Sequence, residues 1–177
     1  MNRDLPKWLQ VVGIAVLVSL ALLVFLNRHR MDVYGTYIRE TSPAVTVRLA
    51  ELSQDMDEAA VLKHFAGVPL RCVAQAPGAD DLGERVCYAQ VDKVDGDAAL
   101  MLATFFNQGK LVRAMVQVPW WVHGTWLQRF NTQLGQPQRL GAMLRWKMPN
   151  GQLEFSRSRS WNPLEWNVIL WTAQNSK

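Results

Sequence analysis

The sequence has few of the residues from which most enzyme sites are built. Its three histidines show no H-x-x-x-H or H-E-x-x-H spacing, and the chain contains no G-x-S-x-G motif and no glycine-rich phosphate loop. After residue 97 only Glu154 and Glu165 carry side-chain carboxylates, so a catalytic pair would need a partner from the first half. Two cysteines without a further Cys or His at metal spacing do not form a zinc site. We therefore expect a non-catalytic protein with no cofactor, no metal and no nucleic-acid partner.

A long apolar run marks the N-terminus. Residues 9–26 contain no charge and no proline, and as a helix they would extend about 27 Å, close to the thickness of a bilayer's hydrocarbon core. Trp8 precedes the run and Arg28 follows it, as expected where a span meets lipid headgroups. No A-x-A cleavage site follows, and no cysteine directly after the run could carry a lipid. These features predict a cytoplasmic tail at residues 1–8 and an uncleaved transmembrane helix at 9–27.

The two cysteines bear on the compartment. Cys72 and Cys87 enclose Pro77-Gly78 and Gly83, which are typical of a hairpin tip. Two strands folding back there would bring both thiols to bridging distance, and such a disulfide requires an oxidising compartment. The positive-inside rule does not decide the orientation, because both flanks of the span are basic. We therefore expect a bacterial inner-membrane protein with a periplasmic C-terminal domain; the alternative is a pair of buried free thiols in the cytoplasm.

Charge divides the rest of the chain into two parts. Residues 28–97 hold 8 Lys/Arg and 12 Asp/Glu, a net charge of −4, whereas residues 98–177 hold 9 Lys/Arg and 2 Glu, a net charge of +7. The basic part is expected to face an acidic protein, anionic lipid or lipopolysaccharide, unless it is a solvated surface without a partner.

After a polar stalk at residues 28–43, apolar periodicity predicts an α+β domain. Alternation at residues 45–49 is typical of a half-buried strand. A helix should follow, with Asp55 as its N-cap and Glu58 closing a capping box. The expected buried stripe of this helix is Ala59, Leu62 and Ala66. Further strands are expected near residues 70–76, 85–91, 98–106 and 111–118.

The second part repeats this order. A helix after Pro119 carries an apolar stripe of Trp126 or Leu127, Phe130 and Leu134. A shift of 68 positions maps Gly67 and Pro69 onto Gly135 and Pro137, so both helices should end at the same Gly-x-Pro signal. We expect two related strand-helix-antiparallel-strand halves, at residues 44–106 and 107–177.

The strongest hairpin signal of the chain is Asn150-Gly151. A two-residue loop there predicts that Trp146 faces Phe155 and that Lys147 forms an ion pair with Glu154 across the strands. The last strand is expected at residues 167–172.

The motifs Phe65-Ala66-Gly67-Val68-Pro69 and Leu134-Gly135-Gln136-Pro137, with the aromatic strands at Trp146 and Phe155, carry a resemblance. Over residues 45–172 the chain resembles the small outer-membrane assembly lipoproteins of the SmpA/OmlA type and, as a tandem of such units, the beta-lactamase inhibitor proteins. It differs from the lipoproteins in having a membrane span in place of a lipid-bearing cysteine. The resemblance implies a non-catalytic, protein-binding module.

Arginine next to tryptophan indicates the candidate binding residues. Arg157, Arg159 and Trp161 follow the predicted hairpin, and Trp120 and Trp121 precede the second helix. Both residue types are enriched at binding surfaces. The alternatives are a solvated strand end for the arginines and a core position for the tryptophans.

Together these patterns predict a single-pass membrane protein whose periplasmic domain binds an envelope protein as an assembly, secretion or accessory subunit. One alternative is an immunity or inhibitor protein that blocks a periplasmic toxin or enzyme. Another is a module that uses Trp and Arg to hold glycan or lipid phosphate.

Overall fold

The structure is a computed structural model that describes residues 6–26, 28, 35, 42–75, 82–159 and 165–174. The chain divides into two compact units, Met1–Glu40 and Thr41–Lys177. In the first unit, helix α1 spans Lys7–Leu26 and has a mean hydropathy of 2.8. A helix of this length and composition is compatible with a single-pass membrane anchor and with a signal sequence.

The second unit is an α+β domain, as the sequence predicts, and it is built on an eight-stranded antiparallel sheet. Its helices are α2 (Glu58–His64) and α3 (His123–Leu134). The strands of the large sheet are β2 (Arg71–Ala74), β3 (Arg85–Gln90), β6 (Met101–Asn107), β7 (Lys110–Val118), β8 (Gln138–Leu140), β9 (Met143–Met148), β10 (Gly151–Ser156) and β11 (Asn167–Ala173). A small separate sheet contains β1 (Ala44–Val45), β4 (Lys93–Val94) and β5 (Asp97–Ala98).

The large sheet has the strand order β2-β3-β6-β7-β11-β10-β9-β8. Its centre is the antiparallel pairing of β7 with β11, in which Ala114 lies opposite Trp171. The four strands that follow α2 therefore lie on one side of this pairing, and the four that follow α3 lie on the other side. The edge strands β2 and β8 are short, which limits the unpaired backbone that the sheet exposes.

The hydrophobic core fills the sheet face that the two helices cover. Helix α3 contributes Trp126 and Phe130, and the Phe130 ring lies 5.5 Å from Trp146 and 5.8 Å from Phe155, measured between centroids. Aromatic pairs at this separation add to the stabilisation that comes from burying their area. The opposite face of the sheet carries the side chains that alternate with these.

Helix α2 differs from the sequence prediction in its cap and in its buried side. Asp57, not Asp55, caps the helix by accepting a hydrogen bond from the Ala60 N–H at 2.8 Å. Glu58 forms an ion pair with Arg85 of β3 instead of closing a capping box. The buried side consists of Val61 and Phe65, whereas the predicted Ala59, Leu62 and Ala66 are exposed. Turning Val and Phe to the core buries more apolar area than two alanines and a leucine would.

The strand predicted at residues 45–49 is also shorter than expected. Val45 and Val47 are buried, as the alternation predicts, but strand β1 ends at Val45. The Val47 N–H donates to the Asp95 carboxylate at 3.0 Å, and a 3-10 turn, Leu49–Glu51, follows. The Asp95 side chain therefore accepts the backbone hydrogen bond that a carbonyl of a neighbouring strand would otherwise accept.

The turn between β9 and β10 lies one residue earlier than predicted, which shifts the cross-strand pairing by two residues. The turn residues are Pro149 and Asn150, with Met148 opposite Gly151. Gly151 belongs to the strand, where a Cβ atom would lie 2.3 Å from the Thr172 carbonyl oxygen of β11. The Asn150 side-chain amide donates to two carbonyl groups of the 3-10 turn region, those of Leu49 and Leu52.

This register changes the cross-strand partners but keeps each side chain on its predicted face. Trp146 lies opposite Leu153, not Phe155. The Arg145 Nε donates to the Glu154 carboxylate at 2.7 Å, so Arg145 replaces Lys147 in the predicted ion pair.

Cys72 and Cys87 lie opposite each other on β2 and β3 and form the predicted disulfide. Their Cα atoms are 4.0 Å apart, and the bridge lies on the sheet face that α2 covers. It therefore ties the edge strand β2 to the rest of the sheet.

Replacing both cysteines by serine should lower the free energy of unfolding by about 3 kcal/mol, because the unfolded chain loses a covalent loop of this length. Thermal unfolding of the full-length protein in detergent, followed by circular dichroism, measures this change. Reducing agent should lower the unfolding temperature of the wild type and leave that of the double variant unchanged. Equal sensitivity of both proteins to the reductant would contradict the assignment.

Candidate functional site

Two loops that carry predicted binding residues meet at one end of the large sheet. Trp120 and Trp121 follow β7, and Arg157 and Arg159 follow β10. Strands β7 and β10 run in the same direction, because each is antiparallel to β11. Their carboxyl ends therefore lie at the same end of the sheet. We refer to these four residues as the Trp-Arg end.

The two tryptophans belong to a 3-10 turn, Trp120–Val122, which begins after Pro119 and leads into α3. Val122 is buried, Trp120 is half-buried, and the Trp121 side chain is 45% exposed. The two indole rings meet edge to face with their centroids 5.9 Å apart. The turn thus uses Val122 as its core contact and turns Trp121 towards solvent.

The two arginines lie in the loop that follows β10, and one of them contacts a tryptophan. Strand β10 ends at Ser156, and Arg157 and Arg159 are both exposed. The Arg157 backbone N–H donates to the Ala142 carbonyl at 2.8 Å, which fixes the start of this loop. The Arg159 guanidinium lies over the Trp120 ring, 5.0 Å from its centroid, in a cation–π contact. A cationic and aromatic surface results.

Trp161, the remaining predicted binding residue, lies outside the residues that the structure describes. Its role stays a prediction. The other four lie at the same end of the sheet, and Arg159 contacts Trp120, although the sequence separates the two pairs by more than 30 positions.

His123, the first residue of α3, is buried next to this end of the sheet. Its ring stacks on Phe155 with a centroid distance of 4.7 Å, and its Nε2 lies 2.9 Å from the Ser156 carbonyl oxygen, to which it must donate. The Ser156 hydroxyl in turn donates to the Asn167 side-chain oxygen at 2.9 Å. The buried histidine therefore fixes the start of α3 against β10, and the Ser156–Asn167 hydrogen bond links β10 to β11.

A second surface, which sequence reasoning missed, is the sheet face opposite the helices; we call it the open face. Strand pairing places on it a set of exposed or half-exposed apolar side chains from six strands: Val73, Val86, Tyr88, Met101, Met115, Met143, Val168 and Leu170. Between them, Ala103 and Phe105 are buried. Alternation in each strand was visible in the sequence, but it does not tell which face the helices leave uncovered.

The open face is also basic. Arg71, Arg113, Arg145 and Lys147 lie on it, against the single carboxylate of Glu154 among the described strand residues. Arg145 pairs with that carboxylate. Methionine and arginine among apolar neighbours are typical of protein-binding surfaces.

A groove of about 600 Å³ lies between residues 47–50 and α3. Its charged lining includes Arg48 and Arg129, and both already form ion pairs, with Glu51 and Asp97 respectively. We therefore interpret the groove as the gap between two packed elements, residues 47–50 and α3.

One group of three potential metal ligands occurs among the described residues: Glu58, Cys72 and Cys87, whose ligand atoms lie within 4.8 Å of one another. Both sulfurs are joined in the disulfide, so neither is a thiolate. The group is not a metal site in this oxidised state.

Comparison with known protein families, with curated proteins and with solved structures finds no significant match to this chain.

Asp95 is a half-buried carboxylate in the turn between β4 and β5. Its φ is +50°, and one of its oxygens accepts the Val47 N–H. Burial raises the pKa of Asp95 above its ordinary value, and nearby Asp97 raises this pKa further. The Val47 hydrogen bond and the charge of Arg129 oppose that rise without cancelling it. A carboxyl with a raised pKa stabilises the fold when it is protonated, and this contribution is lost as the pH rises through the folded-state pKa.

Asp95→Asn should therefore stabilise the protein at pH 7, because an amide keeps the acceptor for Val47, has no charge to desolvate and tolerates positive φ. The difference in the free energy of unfolding between Asp95→Asn and the wild type should grow as the pH rises above the ordinary aspartate pKa of about 3.9. Thermal unfolding at several pH values measures this difference. Asp95→Ala, the control, should lose about 1–3 kcal/mol, since it leaves the Val47 N–H unpaired. An Asn effect that does not change with pH would contradict the assignment.

Proposed function

We propose that the protein is a single-pass inner-membrane protein whose periplasmic domain binds another envelope protein, as an assembly, secretion or accessory subunit. The open face is the observation that carries this proposal. An antiparallel sheet with one solvated face normally turns polar residues outward. Here apolar side chains from six strands are exposed or half-exposed on the outer face, and a patch of this kind marks a binding surface.

The partner should present an acidic or hydrogen-bonding surface around an apolar centre. Arg71 on β2 and Lys147 on β9 are exposed near opposite edges of the open face, and most of the apolar side chains lie on the strands between them, where Arg113 of β7 is half-buried. This arrangement of an apolar centre with a charged rim is the usual anatomy of a protein interface.

Two features support the proposed location. Helix α1 has the length and hydropathy that a membrane span requires. The disulfide between Cys72 and Cys87 favours an oxidising compartment for the domain, as the periplasm is.

We also propose that the domain consists of two related halves, as the tandem proteins that the sequence resembles do. The strand order supports this proposal, because each helix is followed by four strands of the large sheet, and the last strand of each set, β7 and β11, pair at the centre. Gly67 and Gly135, which follow the two helices, both adopt positive φ. The boundary then falls between β7 and α3, later than residue 106.

Val73→Glu should prevent partner binding. Val73 is 44% exposed on the open face, and a carboxylate there would have to lose its water and face the acidic surface expected of the partner, which should reduce partner recovery about tenfold or more. The measurement is quantitative copurification of the tagged full-length protein in mild detergent.

Leu62→Glu is the matched control. Leu62 is 40% exposed on α2, which covers the other face of the sheet, so the same charge at similar exposure should leave recovery unchanged. A wild-type protein that elutes alone, or equal losses in both variants, would refute binding through the open face.

A C-terminal fusion to a reporter enzyme that is active only after export should be active in bacterial cells. Because Cys72 and Cys87 of this domain form a disulfide, an active fusion should also have both cysteines oxidised in the isolated protein. An inactive, intact fusion with both thiols reduced would place the domain in the cytoplasm.

A further inference from the structure

The chain enters the domain at the same end of the sheet as the Trp-Arg end. The Ser42 N–H donates to the Asp92 carboxylate at 3.0 Å, and the Asp92 N–H donates to the Pro43 carbonyl at 3.2 Å. Asp92 follows β3 directly, next to the start of β6. Backbone hydrogen bonds from Val91 to Leu100 and from Leu100 to Gln117 continue this row to the end of β7.

Pro43 is thus about three strand spacings, roughly 14 Å, from β7, the strand that precedes the turn with the exposed Trp121. The preceding segment, residues 27–41, has 15 residues. At about 3.3 Å per residue, a segment of that length spans at most about 50 Å.

The side chains at this end suit a lipid headgroup layer. Trp121 is the exposed tryptophan among the described residues of the domain, and indole rings favour the interface between water and hydrocarbon. Arg157 and Arg159 are exposed at the same end of the sheet, where Arg159 lies over the neighbouring Trp120, and guanidinium groups bind phosphate oxygens in a forked geometry. Two carboxylates also lie at this end of the sheet, that of Glu165 before β11 and that of Asp92, which accepts the Ser42 N–H.

We propose that the Trp-Arg end docks onto the anionic phospholipid surface of the membrane that holds α1, with Trp121 among the headgroups and Arg157 and Arg159 on lipid phosphates. This inference rests on the membrane anchor of the proposed function. Docking through an end of the sheet directs the strands away from the bilayer and leaves the open face free for a protein partner.

The test uses the full-length protein reconstituted into vesicles that contain phosphatidylglycerol with acyl chains brominated near the headgroup, which quench nearby indoles. The difference between wild type and Trp121→Phe isolates the fluorescence of residue 121. We expect brominated vesicles to quench most of this difference signal, and vesicles of phosphatidylcholine alone, equally brominated, to quench little of it.

Arg157→Gln and Arg159→Gln should each weaken docking roughly fivefold, because a basic residue near an anionic surface contributes about that factor. Lys147→Gln removes the same charge from an exposed site on the open face and should have no effect. Added salt should reduce quenching in the wild type.

Failure of this inference is distinguishable from failure of the anchor. A protein that does not float with vesicles after a high-salt wash refutes the anchor and the docking with it. A protein that floats but shows no quenching of Trp121 refutes docking alone, as does protection of Trp121 only when a protein partner is added. Equal quenching in both lipid compositions refutes recognition of anionic phosphate.

Discussion

The pairing of β7 with β11 is the constraint on which the domain depends. It joins the four strands after α2 to the four strands after α3, and without it each group would expose an additional unpaired edge. Small residues make the pairing compatible with a large core side chain. Ala114 lies opposite Trp171, and Gly151 lies beside the Trp171 indole, where a Cβ atom would come within 3.1 Å of the ring nitrogen. The sheet therefore closes around a tryptophan only because its neighbours have little or no side chain.

Strands and turns of this domain were predictable because their signals are local. The turn at Gln108 and Gly109, both at positive φ, and the strands on either side of it follow from a polar dipeptide between apolar runs. The errors occurred where distant residues decide. Helix α2 buries Val61 and Phe65 because of the sheet beneath it, and the β9–β10 turn moves by one residue because Thr172 and Leu49 constrain Gly151 and Asn150. A window of neighbouring residues contains none of these contacts.

The two candidate surfaces also differ in how much of them local sequence signals could reveal. The loops at Trp120 and Arg159 were chosen as candidates from their content of tryptophan and arginine alone, because both residue types are enriched at binding surfaces. Their proximity was not predictable, because it follows from the parallel directions of β7 and β10, which only the strand order reveals. The open face was missed altogether. Residues such as Met115 and Leu170 alternate with core residues in ways that also fit a strand buried on both faces.

The two surfaces use different sides of one rigid sheet. The helices cover one face, and Asn150 at the far end of the sheet is bonded to the chain segment around Leu49. The end that carries Trp121 is also where the chain enters the domain at Pro43. Because the strands run perpendicular to that end, contact there does not compete for space with contact on the open face. The proposed contact at this end would therefore leave the open face accessible to a second contact.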